Sequence, residues 1–107
     1  MTYYEAIKAA LSGLSGVKLY HNKAHKQDSD YIVWYEISTD GLHADGRIVN
    51  TSVRLAVDFF TRSEYTDIPR DITRSLEQYG FTVRAETEIE YEENTGWTHY
   101  AMTAVWG

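Results

Sequence analysis

FTVRAETEIEYEENTGWTHYAMTAVW, residues 81–106, carries the clearest structural signal in the chain. Phe81, Val83, Ala85, Thr87, Ile89 and Tyr91 alternate with Thr82, Arg84, Glu86, Glu88, Glu90 and Glu92. A period of two is that of a strand with one face in a core and the other, here acidic, in water. Glu93-Asn94-Thr95-Gly96 is turn material, and in Trp97–Trp106 the even positions Tyr100, Met102, Ala104 and Trp106 are again apolar. The stretch predicts a long C-terminal β-hairpin whose core face needs a cover.

Working back from the hairpin, Ile68, Ile72, Leu76 and Tyr79 recur at helical spacing. Thr66 or Asp67 is placed to cap this helix, Pro69 falls in its first turn and Gly80 ends it. Arg47–Thr61 reads as one long strand, with Val49, Val53, Leu55, Val57 and Phe59 on one face. About 15 residues exceed an ordinary strand, so a bend or bulge is expected near Asn50–Ser52. Thr39–Gly46 carries turn signals ending in Asp45-Gly46. Before it, Tyr31–Ser38 (YIVWYEIS) is apolar on both faces, which suggests a central strand covered in part on each side. His21–Asp30 has no apolar residue larger than Ala24 and reads as a solvated loop, and Val17–Tyr20 as a short strand. At the N-terminus Thr2 and Glu5 form a capping box ahead of Ile7, Ala10, Leu11 and Leu14, which predicts a helix over Tyr3–Leu14 with left-handed stops at Gly13 and Gly16.

The order α-β-β-β-α-β-β implies an α+β fold: a mostly antiparallel sheet with both helices packed on one face. At 107 residues there is room for a single domain, 1–107. Hydrophobic content of 43% and charged content of 24% are those of a globular protein. No apolar run is long enough to span a bilayer, and the first residues lack the pattern of an export signal, so neither a membrane partner nor secretion is expected. The absence of cysteine excludes disulfides, thiol nucleophiles and thiolate metal sites.

Residue constellations with chemistry in them are few. His21 and His25, with Asp28 or His43, have the types of a metal site, but His-x-x-x-His needs a helix to bring its rings together and lies here in a loop. Ser15, in Gly13-Leu14-Ser15-Gly16, resembles a nucleophile elbow only loosely, since it stands at a helix end rather than after a strand. Gly41 and Gly46 are wrongly placed for a phosphate loop, and Asn50-Thr51-Ser52 is a glycosylation sequon inside a predicted strand. No enzyme activity, cofactor or metal is expected.

Charge is more informative. Of the net −6, Met1–Arg84 contributes −1 and Ala85–Gly107, with five glutamates and no lysine or arginine, contributes −5. Such a balance argues against general nucleic-acid binding, even with Tyr31, Trp34 and Tyr35 available as stacking platforms. Lys18, Lys23 and Lys26, with His21 and His25 between them, make a basic segment complementary to Glu88, Glu90 and Glu92. Facing each other across copies, they would form a head-to-tail interface, which closes into a ring. The plainer alternative is two solvated surfaces. Trp97, expected to be exposed on the hairpin, joins the lysines and glutamates as a candidate interface residue.

With these elements in order, the chain resembles the small tail-completion or tail-terminator proteins of long-tailed bacteriophages and prophages, which join tail to head. The likeness spans nearly the full length. It rests on the amphipathic first helix, the Tyr31-Ile32-Val33-Trp34-Tyr35 strand after a polar loop and the His43-Ala44-Asp45-Gly46 turn. It continues in Ser52–Phe60 (SVRLAVDFF), the short second helix and the Glu-rich hairpin ending in Trp97–Trp106. Members often carry a proline before the Tyr-Ile-Val strand, where this chain has Asp30. The resemblance implies a structural virion protein, assembled in the bacterial cytoplasm, that forms a homo-oligomeric ring, typically of six subunits, capping the tail tube. Its partners would be copies of itself, the tail-tube protein and the head-tail connector, with DNA passing through the lumen without specific binding. A head-closure or neck adaptor of the same particle is an alternative within that setting, and a small α+β ligand-binding domain is one from outside it.

Overall fold

The computed structural model describes the backbone of residues 1–44 and 47–107 and the side chains of residues 1–38, 52–84 and 88–107. The elements follow the expected order: α1 (Tyr3–Ser12), β1 (Lys18–His21), β2 (Tyr31–Ala44), β3 (Arg47–Thr61), α2 (Ile68–Gln78), β4 (Thr82–Glu92) and β5 (Trp97–Trp106). The strands form one sheet in the order β1-β2-β3-β5-β4. Every neighbour pair is antiparallel except β1 with β2. The chain is elongated, 51 Å by 25 Å by 25 Å. No helix among the described residues is long and apolar enough to cross a membrane.

Both helices lie on one face of the sheet. Ala6, Ile7, Ala10 and Leu11 of α1 and Ile72 and Leu76 of α2 meet Ile32, Trp34, Val53, Leu55, Val57, Phe59, Met102 and Ala104 in a single core. The two helices are tied directly, Ser75 Oγ donating to the Ala10 carbonyl. The capping box of α1 is complete: Thr2 Oγ1 accepts from the Glu5 amide at 3.2 Å while Glu5 Oε1 accepts from the Thr2 amide at 3.3 Å. Those hydrogen bonds, the Thr2 side chain first, hold the Glu5 carboxyl below its ordinary value.

Several boundaries differ from expectation. Helix α1 stops at Ser12, and Gly13 stays right-handed at φ −83°, so Gly16 alone makes the left-handed turn. The turn signals of Thr39–Ala44 do not break β2, because each residue there is paired against β3. The Asp45-Gly46 turn itself lies outside the described residues, as do the side chains of His43, Asn50, Ala85, Glu86 and Thr87. The irregularity expected near Asn50 falls at Val49, skipped between Leu42↔Asn50 and His43↔Ile48, and a second skips Ile37. In α2, Asp67 caps without a side-chain bond, while Thr66 Oγ1 accepts from the Ile68 amide.

The hairpin faces also part from the pattern. Ile89 and Tyr91, expected in the core, are 65% and 62% exposed, and Tyr79 is likewise exposed. The helix layer covers the β4 residues near Val83 but not the half of the hairpin nearest its turn, so alternation persists there without burial. Gly80 is a place where only glycine fits: its φ is +100°, and a Cβ would meet the Trp106 ring at 3.3 Å.

Candidate functional site

The sheet presents its other face without a helix over it, and the register fixes which side chains stand there. Tyr31↔Phe60 and Phe60↔His99 are paired across β2, β3 and β5, so these three rings line up side by side. They stack at centroid distances of 4.7 and 4.4 Å, nearly coplanar, with Tyr20 of β1 edge-on to Tyr31. Burial, and then the Glu92 carboxylate, raise the Tyr31 phenol above its ordinary value. Trp97 stands at the end of this ladder. It is 8% exposed, contrary to expectation, because Tyr31 meets it edge-on and the Arg62 guanidinium lies 4.2 Å over its ring.

Beyond the ladder the face drops into a trough of about 320 Å³ floored by Ala56, Ala101 and Thr103 and flanked by Tyr35, Ile37 and Glu88. Small residues on neighbouring strands make the depression; Tyr35 and Ile37, 39% and 49% exposed, make its wall. Asp58 sits in it with its side chain 15% exposed, and its nearest basic group among the described residues is the His99 imidazole, Nε2 to Oδ1 3.4 Å. That separation is long for a hydrogen bond, and His99 Nε2 has no hydrogen-bond partner among the described residues. Burial therefore outweighs the His99 contribution, and the Asp58 carboxyl is raised above the ordinary carboxylate value.

The sheet order puts the candidate interface charges on different edges. Glu88, Glu90 and Glu92 lie along β4, one edge strand, and all three are exposed. Lys18 lies on β1, the opposite edge, and Lys23 follows it just after the left-handed residue Asn22 (φ 72°). Lys26 is carried elsewhere. Since β1 and β2 are parallel, residues 22–30 must return to the start of β2, and Ala24–Gln27 come to line a hollow of about 560 Å³ with Tyr31, Arg62, Asn94, Thr95 and Trp97. The loop read as wholly solvated thus shelters one end of the aromatic ladder, and Lys26 is on the hairpin's side of the molecule. Among the described residues no ion pair joins these lysines to the hairpin glutamates.

A second cluster lies on the helix side. His21, read as a loop residue, ends β1 and pairs in register with Trp34, on which its ring stacks at 3.8 Å. Its Nε2 is 2.6 Å from Glu36 Oε1 and its Nδ1 is 3.2 Å from the Tyr4 hydroxyl. In the tautomer that carries its proton on Nε2, the ring donates to Glu36 and accepts from the Tyr4 hydroxyl at Nδ1. Tyr3 lies beside the same carboxylate; burial and then Glu36 raise its phenol above the ordinary value. The rings of Tyr4, His21 and Trp34, with Lys8, Leu19 and Tyr20, line a pocket of about 180 Å³. His25 faces the 560 Å³ hollow instead, so the two histidines of the metal-like spacing are not brought together. Among the described residues no three His, Asp or Glu side chains are grouped as metal ligands.

The Tyr4–His21–Glu36 chain was not visible in the sequence. It depends on the parallel register of β1 on β2, a long-range pairing that leaves no local period; the one available sign was that Trp34 and Glu36 share a strand face. Neither the family models nor the curated proteins give a match to the sequence.

Proposed function

We propose that this chain is a structural protein of a phage or prophage virion: a subunit that closes into a ring, ends the tail tube and joins it to the head. The observation that carries the reading is the opposite charge of the two free sheet edges, glutamates along β4 and lysines on and after β1. Unlike surfaces that fit each other make a heterologous contact, which repeats head to tail and ends only where the rotation closes. The α-β-β-β-α-β-β order on which the family resemblance rests is the order the chain adopts. A standard interface takes about 800 Å² from each partner, and two of them leave most of the 7065 Å² surface of a subunit for the tube below and the connector above. Six is the copy number that the resemblance implies. A net charge of −6 suits a lumen through which DNA slides, because phosphate is not gripped without an excess of lysine and arginine.

The test is electron microscopy of the concentrated protein, alone and with purified tail tubes. Annular particles that bind one end of the tube and prevent further growth are the expected result. Tubes that lengthen unhindered in its presence overturn the reading.

One observation favours a different class, a small ligand-binding domain: the pocket over Trp34 with the Tyr4–His21–Glu36 chain at its side. Its 180 Å³ falls below the roughly 300–1,000 Å³ of pockets that enclose drug-sized ligands. The same contacts have a structural use, since they fasten the first turn of α1 to β1 and β2.

A further inference from the structure

The trough on the helix-free face has the shape and charge of a receptor for one kind of side chain. Its floor is Ala56, Ala101 and Thr103, smooth enough for an aliphatic stem, and its polar end holds two carboxylates, Asp58 and Glu88. Asp58 is the less satisfied of the two. Its only ion-pair partner among the described residues is an imidazole at 3.4 Å, charged only when protonated, while its side chain is largely removed from water. A half-buried carboxylate with only an imidazole at 3.4 Å beside it is a standing cost that an ammonium group would relieve. Lysine is suited to this place because its methylenes lie along apolar surface while its head seeks the charge.

We infer that the trough of one copy receives a lysine from the basic β1 segment, Lys18 or Lys23, of a second copy. This rests on the self-assembly reading above and goes beyond it by naming the socket. The geometry also restricts how the copies meet. Strands in a sheet are about 4.8 Å apart, so a neighbour's β1 simply added to the β4 edge would stand roughly 14 Å from the Asp58 backbone, three strands away. That is beyond the reach of a lysine to Asp58. The incoming segment therefore lies over Glu88 and onto the face, where Tyr35 and Ile37 are exposed to receive it.

The experiment mixes isotopically light and heavy protein, couples amines to carboxylates with a zero-length carbodiimide, and maps mixed-isotope peptides by mass spectrometry. Links from Lys18 or Lys23 of one copy to Asp58 or Glu88 of another are the expected result. Glu88→Lys should weaken association at least tenfold, and combining it with Lys18→Glu and Lys23→Glu should restore it. Assembly that proceeds undiminished in a Glu88→Lys, Asp58→Asn double variant, together with wild-type protein that gives no mixed links to the trough, overturns the socket while leaving the ring intact. Links to the trough in a species that stops at two copies support the socket and overturn the ring. A chain that forms neither links nor assemblies at any concentration overturns both.

Discussion

The two faces of the sheet are built from the same strands and differ in nearly everything else. On the helix side Ile32, Leu55, Val57 and Phe59 are fully buried and make contacts that are almost all apolar. On the other side Tyr31, Phe60 and His99 stack only half-buried, Asp58 has His99 at 3.4 Å as its one ion-pair partner among the described residues, and Tyr35 and Ile37 face water. The first arrangement makes the fold stable; the second leaves aromatic and polar groups partly open to water on a rigid platform. If the proposed association uses the helix-free face, stability and association are separable, one face at a time.

That separation is breakable by mutation. Leu55→Ala opens a cavity on the covered face, and chemical denaturation should show a loss of about 2–5 kcal/mol, as for other buried leucines. The exposed Tyr35→Ala, one strand away on the other face, should change stability by less than about 1 kcal/mol and act on self-association. A comparable stability loss at Tyr35 would erase the distinction. Gly80→Ala forces a side chain into a positive φ and against Trp106, loosening the join between α2 and β5, and should cost about 1–2 kcal/mol in thermal or denaturant unfolding. Thr2→Ala removes the box that starts α1 and should cost about 1 kcal/mol, read by the same measurement.

The smallest expected effect has the opposite sign. Burial raises the Asp58 carboxyl in the folded chain, so the folded state holds its proton more tightly than the unfolded state does. The resulting stability is fully present below the unfolded value near pH 3.9 and is lost as pH rises through the raised folded value. Asp58→Asn escapes that loss. The unassembled variant should unfold at a higher temperature than wild type at pH 7, with the gap closing toward pH 3. A lower melting temperature at pH 7 would mean that His99 already satisfies the carboxylate, and the face would hold no unmet charge.

How far each face could be read from the sequence follows from the same contrast. The covered side was legible because burial imposes a period: Val53, Leu55, Val57 and Phe59 announce one face of β3, and Ile72 and Leu76 one stripe of α2. The period says which side a residue is on but not whether anything covers it, so Ile89 and Tyr91 were read as core although the helices stop short of them. The helix-free face depends on register between strands far apart in sequence. Tyr31, Phe60 and His99 are separated by dozens of residues and become one ladder only when β2, β3 and β5 are aligned. Trp97 was misread for that reason, its covers being Tyr31 and Arg62. The edge charges were legible as composition, and the sheet order supplied what composition lacked, namely that Lys18 and the β4 glutamates stand on opposite sides.

The most direct test of the claim that these unlike edges join copies is sedimentation velocity on the wild-type chain and on Glu88→Lys, Glu90→Lys, Glu92→Lys, over a range of concentration and salt. The expected result is a discrete assembly of the wild type that forms with concentration and weakens with added salt, and a triple variant that sediments as a single chain. Wild type and variant sedimenting alike at every concentration would contradict it.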